Sequence, residues 1–292
     1  MQGQFAEQKH FITQREAHRT SYKLLFPSSI MATITFGPAG LGPVKDAVKN
    51  LEQLSKKGLG ACEIAFTYGV YIKNDADMAM IKEAAEKFNI KLSIHAPYWV
   101  NLNSTEKKKI EESKQRILKC CEVGEKLGCY RVVFHPGYYG KMAVEETYEN
   151  IKNAILDLQE TIKKNKWKIK IAVETMGKVN VFGSFGQIAK LVEETGCEFC
   201  IDFAHILARD KKVDYEKIKQ IFGKYKIWHC HFSGIVYGEK GEKHHKKTEK
   251  TEWKTLLDEL KKLPKDIEIT IVNESPTPVE DSVDGMKVWN DS

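Results

Sequence analysis

The chain has 292 residues, 42% hydrophobic and 29% charged, ordinary globular values that exclude wholesale disorder and collagen-like repeats. Lys and Arg number 46 against 40 Asp and Glu, a formal charge of +6; so mild an excess permits a nucleic-acid partner without requiring one. No apolar run approaches the length of a membrane span, and the first thirty residues lack the apolar core of a signal peptide. The seven cysteines are scattered through apolar runs such as Ala61-Cys62-Glu63-Ile64, so reduced, buried thiols in a cytoplasmic protein are expected.

Residues 1–30 are rich in Gln and charge and show no clear period. They are expected to form a tail, or an extension upstream of a start at Met31. From Thr33 onward one alternation takes over. Short β-branched or apolar runs at 33–36, 61–66, 91–95, 130–135, 169–174, 198–202, 226–231 and 267–274 alternate with helical patterns. The clearest helix carries Val144, Tyr148, Ile151, Ile155, Leu158 and Ile162 on one face. Another is read as capped by the pair Asn103 and Glu106 and stopped by Gly128. Eight strands at a pitch of roughly thirty to forty residues predict βα units and a parallel sheet. That count fits a single-domain (β/α)₈ TIM barrel over 31–292, a fold that needs about 250 residues. A doubly wound open sheet competes, but the glycines after the first strand, Gly37, Gly40 and Gly42, do not match the dinucleotide fingerprint. The stretch after Pro278 looks short for an eighth helix.

The chemistry shows in what ends each strand. The third strand ends at His95 and the fourth at His135. Glu174 closes the fifth, and Asp202, followed by His205, closes the sixth. His229 and His231 end the seventh, and Glu274 follows the eighth. In a parallel barrel these ends converge on one mouth, where active sites of this fold lie. Of the nine histidines, the seven beyond residue 30 sit at strand ends or in the loop after the seventh strand. Taken singly, a strand-end Asp or Glu is more often a helix cap, and a His a packing residue. Together they would bury carboxylates beside imidazoles at a cost that cations or partners must offset. Mixed imidazole and carboxylate donors are a zinc-type set, and so many histidines argue against a purely magnesium site. The Lys- and His-rich loop Gly238–Lys247 reads either as a solvated basic hairpin or as a lid that adds Glu242 and His244 to a further metal. Cys197 and Cys200 read as packing thiols, and Cys230 is expected on the opposite face of its strand from His229 and His231.

These motifs resemble the endonuclease IV family, zinc-dependent apurinic/apyrimidinic endonucleases built on a (β/α)₈ barrel of the xylose-isomerase-like type. The resemblance runs from Met31 to about Pro276. It is carried by His95-Ala96-Pro97-Tyr98 with Asn101-Leu102, Phe134-His135-Pro136-Gly137, Val173-Glu174-Thr175, Cys200-Ile201-Asp202 with His205, His231, Lys243-His244-His245 and Glu274-Ser275. It implies three zinc ions. His95, His135 and Glu174 would hold the first, and Glu174 would bridge to a second completed by Asp202, His231 and Glu274. His205, Glu242 and His244 would hold the third, with Glu242 standing where the family has Asp. It further implies Glu174 as the residue holding the nucleophile. The implied reaction is hydrolysis of the phosphodiester 5′ to an abasic site in double-stranded DNA, leaving a 3′ hydroxyl and a 5′ deoxyribose phosphate. Tyr98 matches an aromatic that the family uses to probe the lesion, and Lys243, Lys246 and Lys247 would contact phosphate. The loop Thr67–Tyr71 departs from the family's Asn- and Arg-bearing pattern. A monomeric enzyme with no membrane partner is expected.

Two other functions stay open. Xylose-isomerase-like sugar isomerases or epimerases share the architecture but favour oxygen-rich manganese or magnesium sites, and fold alone does not separate them. The other is a DNA-binding barrel with too few metals to hydrolyse anything.

Overall fold

The computed structural model describes residues 32–291, so the expected tail over 1–30 lies outside the described residues. The eight expected strands are present. They are β1 (Thr33–Pro38), β2 (Ala61–Ala65), β3 (Lys91–His95), β4 (Arg131–Phe134), β5 (Lys170–Glu174), β6 (Glu198–Asp202), β7 (Ile227–Phe232) and, after a hairpin of β8 (Gly234–Gly238) and β9 (Gly241–Lys246), β10 (Glu268–Asn273). The eight barrel strands are all parallel, in the order β1-β10-β7-β6-β5-β4-β3-β2, while β8 and β9 form a separate two-stranded antiparallel sheet.

Closure depends on how near β1 can come to β2. The Gly60 backbone N–H donates to the Phe36 carbonyl at 3.1 Å, and Gly40 N–H donates to the Glu63 carbonyl at 2.7 Å. Gly37 lies at that seam. A Cβ there would stand 1.9 Å from the Ala61 carbonyl oxygen, so only glycine permits the approach.

Nine α-helices surround the described barrel: α1 (Ala47–Lys56), α2 (Asp75–Lys87), α3 (Lys107–Leu127), α4 (Val144–Lys164), α5 (Phe185–Thr195), α6 (Phe203–Asp210), α7 (Tyr215–Phe222), α8 (Lys250–Leu260) and α9 (Pro278–Asn290). Helix α4 buries Tyr148, Ile151, Ile155, Leu158 and Ile162 on the expected face, while Val144 at its first turn stays half exposed. Helix α3 stops where expected, at Gly128 with φ of 71°. Its start differs, because Lys107 is its first residue and no side chain caps it. Asn103 is drawn away by tertiary partners, donating to the Tyr138 carbonyl at 2.9 Å and to Thr147 Oγ1 at 3.0 Å. The stretch after Pro278 does form an eighth barrel helix, begun by a proline in its first turn. It is tied down by the buried Asp281, which accepts from the Thr248 backbone N–H at 2.6 Å. No described helix is long and apolar enough to cross a membrane. All seven cysteines are buried and free, and burial pushes the Cys62 and Cys120 thiols up to about 12.

Replacing Gly37 by Ala should cost about 3 kcal/mol, the upper range for overpacking a close approach. Urea unfolding measures it, and a loss within about 0.5 kcal/mol, as for a surface site, would show that the seam is not tight.

Candidate metal centre

The register of the barrel brings the strand ends onto one rim. His95 is the last residue of β3, Glu174 of β5 and Asp202 of β6. His135 and Glu274 directly follow β4 and β10. The pairing sets Asp202 beside His231 and Glu174 beside Cys200 on neighbouring strands. At the centre stands Glu174, fully buried. Its Oε2 lies 3.0 Å from His95 Nε2 and 3.2 Å from His135 Nε2. Its Oε1 lies 3.2 Å from His205 Nδ1 and 3.3 Å from His231 Nδ1. The two oxygens of one carboxylate thus face two different imidazole pairs.

Second contacts orient these rings. His95 Nδ1 lies 2.8 Å from the Ala96 carbonyl, so that nitrogen carries a proton and Nε2 is the one turned to the centre, 3.0 Å from Glu174 Oε2. His205 Nδ1 sits 3.0 Å from the Thr175 carbonyl, leaving Nε2 to face Glu242 Oε2 at 3.4 Å. Asp202 works with both oxygens. Its Oδ1 caps α6 by accepting from the His205 backbone N–H at 2.7 Å. Its Oδ2 is buried with no hydrogen-bond partner. A buried carboxylate oxygen that makes no hydrogen bond and has the His205 imidazole beside it, at 3.4 Å, is the coordination chemistry of a cation, so the residues fit a metal. Glu174, Asp202, His231 and Glu274 place donor atoms within 4.8 Å of one another, as do His95, Glu174 and His231.

Burial by itself would raise the Glu174 carboxyl, but the imidazoles of His135 and His231 outweigh it and hold it well below the usual range. Burial lowers His95, yet its contact with Glu174 prevails and brings it up to about 9. In the same cage Asp202 and Glu174 raise His205 against the desolvation that opposes them.

The hairpin β8–β9 is anchored over the rim rather than loose. The Glu242 backbone N–H donates to the Gly177 carbonyl at 3.1 Å, and Val179 N–H donates to the Lys240 carbonyl at 3.3 Å. A Cβ on Gly177 would lie 2.8 Å from Glu242 Cβ and 2.9 Å from His205 Cδ2, so the hairpin seats only against glycine. It presents Glu242 as expected, but its imidazole is His245. Donor atoms of His205, Glu242 and His245 lie within 4.8 Å of one another, whereas His244 is exposed. The reason is a bulge. Val236 pairs with His244 but Tyr237 pairs with Glu242, which leaves Lys243 as the extra residue. One extra residue puts positions three apart, not two, on a common face.

Around the centre, Tyr98 stacks on His135 with ring centroids 5.3 Å apart and planes 3° from parallel, its own ring half exposed. Tyr68, 87% exposed in the loop after β2, lies 6.0 Å from Trp99. Lys243 and Lys247 are exposed, while Lys246 pairs with Glu252 at 3.1 Å. Asn101, part of the quoted motif, ties two rim loops together by accepting from the Tyr138 and Asn103 backbone N–H groups at 3.3 and 3.1 Å. Cys230 packs in the apolar core while His229 and His231 enter the barrel interior, and Cys197 and Cys200 are buried thiols. Glu63, fully buried, is an interior residue that the strand-end reading does not reach, and His229, named at the end of the seventh strand, meets it at 2.9 Å as a fully buried residue. The one signal for Glu63 is a carboxylate at the middle of an otherwise apolar strand.

Two outcomes follow. Zinc must displace the proton that His95 holds up to about pH 9, so zinc affinity should rise from pH 6.5 to 9, by about tenfold per pH unit for each proton displaced. The stability that the metal-free protein draws from the His95–Glu174 pair runs the other way. It is full below pH 6.5 and lost as pH rises through about 9. Titrations in both directions check the opposed trends, and a pH-independent affinity would refute the site. Asp202→Asn keeps the cap acceptor but removes the orphan oxygen's charge. It should leave the melting temperature near that of the parent and weaken zinc binding about tenfold or more.

The comparisons with known proteins agree with this architecture. The sequence profile of the family described as "Xylose isomerase-like TIM barrel" matches residues 51–291. An uncharacterized protein of Methanocaldococcus jannaschii is 38% identical over 273 residues, covering 88% of this chain and 97% of that one. A probable endonuclease 4 of Mycobacterium ulcerans is 25% identical over 174 residues, 58% of this chain and 66% of its own length. Among solved structures, endonuclease IV from Thermus thermophilus superposes with a TM-score of 0.63 at 20% identity, covering 89% of this chain and 98% of that one. A D-tagatose 3-epimerase-like protein superposes with a TM-score of 0.66 at 20% identity, covering 88% and 98%. These structural likenesses speak to the fold. With an eight-stranded parallel barrel, a rim of imidazoles and carboxylates and a profile match over most of its length, this chain belongs to the xylose isomerase-like TIM barrel family.

Proposed function

We propose that this chain is a zinc-dependent endonuclease that hydrolyses the phosphodiester 5′ to an abasic site in double-stranded DNA, leaving a 3′ hydroxyl and a 5′ deoxyribose phosphate. One observation carries the reading. Beyond the two donor groups that share Glu174, a third set of His205, Glu242 and His245 stands on the same rim, with His205 Nδ1 3.2 Å from Glu174 Oε1. A sugar isomerase or epimerase needs one or two oxygen-rich sites and has little use for imidazoles on a hairpin. A phosphodiesterase gains from three adjacent cations, because charge builds on the attacking oxygen, the phosphate and the leaving oxygen together. The similarity to a probable endonuclease 4 supports the same reading.

His95, His135 and Glu174 would hold one zinc, Glu174, Asp202, His231 and Glu274 a second, and His205, Glu242 and His245 a third. Bound there, the ions would supply a water acidified to near neutral pH and Lewis acidity at the phosphate. The chain's own part is orientation. Glu174 presents one oxygen to each imidazole pair and so sets the spacing of the two groups it joins. The Ala96 carbonyl holds the Nδ1 proton of His95 away from the centre, and the Thr175 carbonyl fixes the His205 ring so that Nε2 faces Glu242. Tyr98, Trp99 and Tyr68 form an exposed aromatic edge beside the rim on which a base or an exposed sugar can stack. In this reading aromatic rings stand in for the family's Asn and Arg in the loop after β2. Lys243 and Lys247 are free to meet phosphates. The free, buried cysteines accord with a cytoplasmic enzyme.

Incision of a duplex with one abasic site, with and without chelator, tests the activity, and elemental analysis tests the metals. About three zinc ions per chain and chelator-sensitive cutting are expected, as the three donor sets require. One or two manganese ions with sugar turnover would replace this reading by an isomerase, and binding without cutting by a DNA-binding barrel. Glu174→Gln should reduce incision to background while the circular dichroism stays native. Unchanged cleavage by that variant would sink the assignment of Glu174. His245→Ala should lose one zinc ion and His244→Ala none; the reverse result would restore His244 as the ligand.

A further inference from the structure

Beneath the metal rim, inside the barrel, lies a polar network that the proposed reaction does not use. Glu63 stands at the middle of β2, fully buried. Its Oε2 accepts from Ser93 Oγ at 2.8 Å and lies 2.9 Å from His229 Nε2. The other nitrogen of His229, Nδ1, meets the Tyr130 hydroxyl. A carboxylate oxygen can only accept, so Nε2–H of His229 donates to Glu63 and the Tyr130 hydroxyl donates to Nδ1. Both nitrogens of His229 are then spent, so the neighbouring trio of Cys200, His229 and His231 does not make a second, thiolate metal site.

With Oε2 of Glu63 already accepting two protons, its Oε1 remains. That atom stands 2.9 Å from His231 Nε2 as an ion-pair contact, and neither atom makes a hydrogen bond among the described residues. His231 Nδ1 points the opposite way, to Glu174 Oε1 at 3.3 Å and Glu274 Oε2 at 3.5 Å. We propose that Glu63 is a positioning residue for the metal centre: its carboxylate holds the proton of His231 on Nε2 and so leaves the Nδ1 lone pair for a cation shared with Asp202 and Glu274. The inference rests on the metal-binding reading above and extends it by one layer. Carboxylates behind ligating imidazoles fix the tautomer and raise the basicity of the ligand. Glu63 differs from the His95 and His205 partners, which are backbone carbonyls, in being removable by substitution.

Glu63→Gln is the direct test. The amide keeps one acceptor for Ser93 and His229 but turns an –NH₂ group toward His231 Nε2. Two donors then face each other, and relief comes when the proton moves to Nδ1 or the ring turns away. Competition between the protein and a chromophoric chelator for Zn²⁺ should show one of the ions bound about 10- to 100-fold more weakly. Tyr130→Phe breaks the far end of the same network without touching His231. It should lower the melting temperature yet leave zinc affinity at the parent value. Wild-type zinc affinity in Glu63→Gln, or equal losses of affinity in the two variants, would overturn the proposal. A reading independent of any variant comes from ¹⁵N NMR of the zinc-loaded parent protein. His231 should show a metal-bound Nδ1 and a protonated Nε2, and the opposite assignment overturns the proposal even if Glu63→Gln does not fold. The incision assay separates the two claims. A parent protein with that His231 signature that leaves abasic DNA intact refutes the nuclease reading and supports this one.

Discussion

A single carboxylate, that of Glu174, is the group around which the rest of the molecule is arranged. It has no exposure to water and stands within 3.3 Å of nitrogens from four imidazoles on four separate strand ends or helix starts. An ion buried this deeply is costly unless its partners are close and well oriented. Imidazoles that take up protons offset it in the metal-free protein, as the raised value of His95 shows. Cations can do the same while leaving the imidazoles neutral. A cation bound there would exchange with those protons, and the pH behaviour of the proposed site would follow from that exchange rather than from any one residue.

The barrel makes this clustering possible. Parallel strands deliver the ends of β3 to β6, β7 and β10 to one rim, and each contributes one donor without an active-site loop of its own. That convergence requires the ring to close, which places a demand on Gly37 far from the chemistry. Layers below the rim matter as well. Glu63 comes from β2, a strand with no residue among the proposed ligands, yet it touches the ring of His231 at 2.9 Å. Asn101 does similar work sideways, tying the loop that carries Tyr98 to the loop that follows His135.

A barrel of this family can serve hydrolysis of DNA or rearrangement of sugars, and the rim alone does not separate them. The hairpin after β7 carries the proposed nuclease reading. It is seated on Gly177 and packed through Ile235 onto Ala204 and Ala208 of α6. Its bulge at Lys243 turns Glu242 and His245 to one side, toward His205. In the proposed reading, imidazoles carried over the mouth by a short antiparallel element are what favour hydrolysis.

Much of this was legible in the sequence because it is local. A β-branched run marks a parallel strand wherever it occurs, and a His, Asp or Glu at its end lies on the rim by the geometry of the fold. The eight strands and the rim positions of the proposed donors His95, His135, Glu174, Asp202, His205, His231 and Glu274 needed no knowledge of neighbours. Other features are decided by contacts between distant segments. Asn103 has the spacing of a helix cap but spends its amide on Tyr138 and Thr147. The choice of His245 over His244 depends on a one-residue bulge whose register is set by pairing with β8. Glu63 reads as an oddity in an apolar strand until β7 brings His229 and His231 against it. Periodicity and strand ends are properties of the chain, while the partner of a buried polar atom is a property of the packed structure alone.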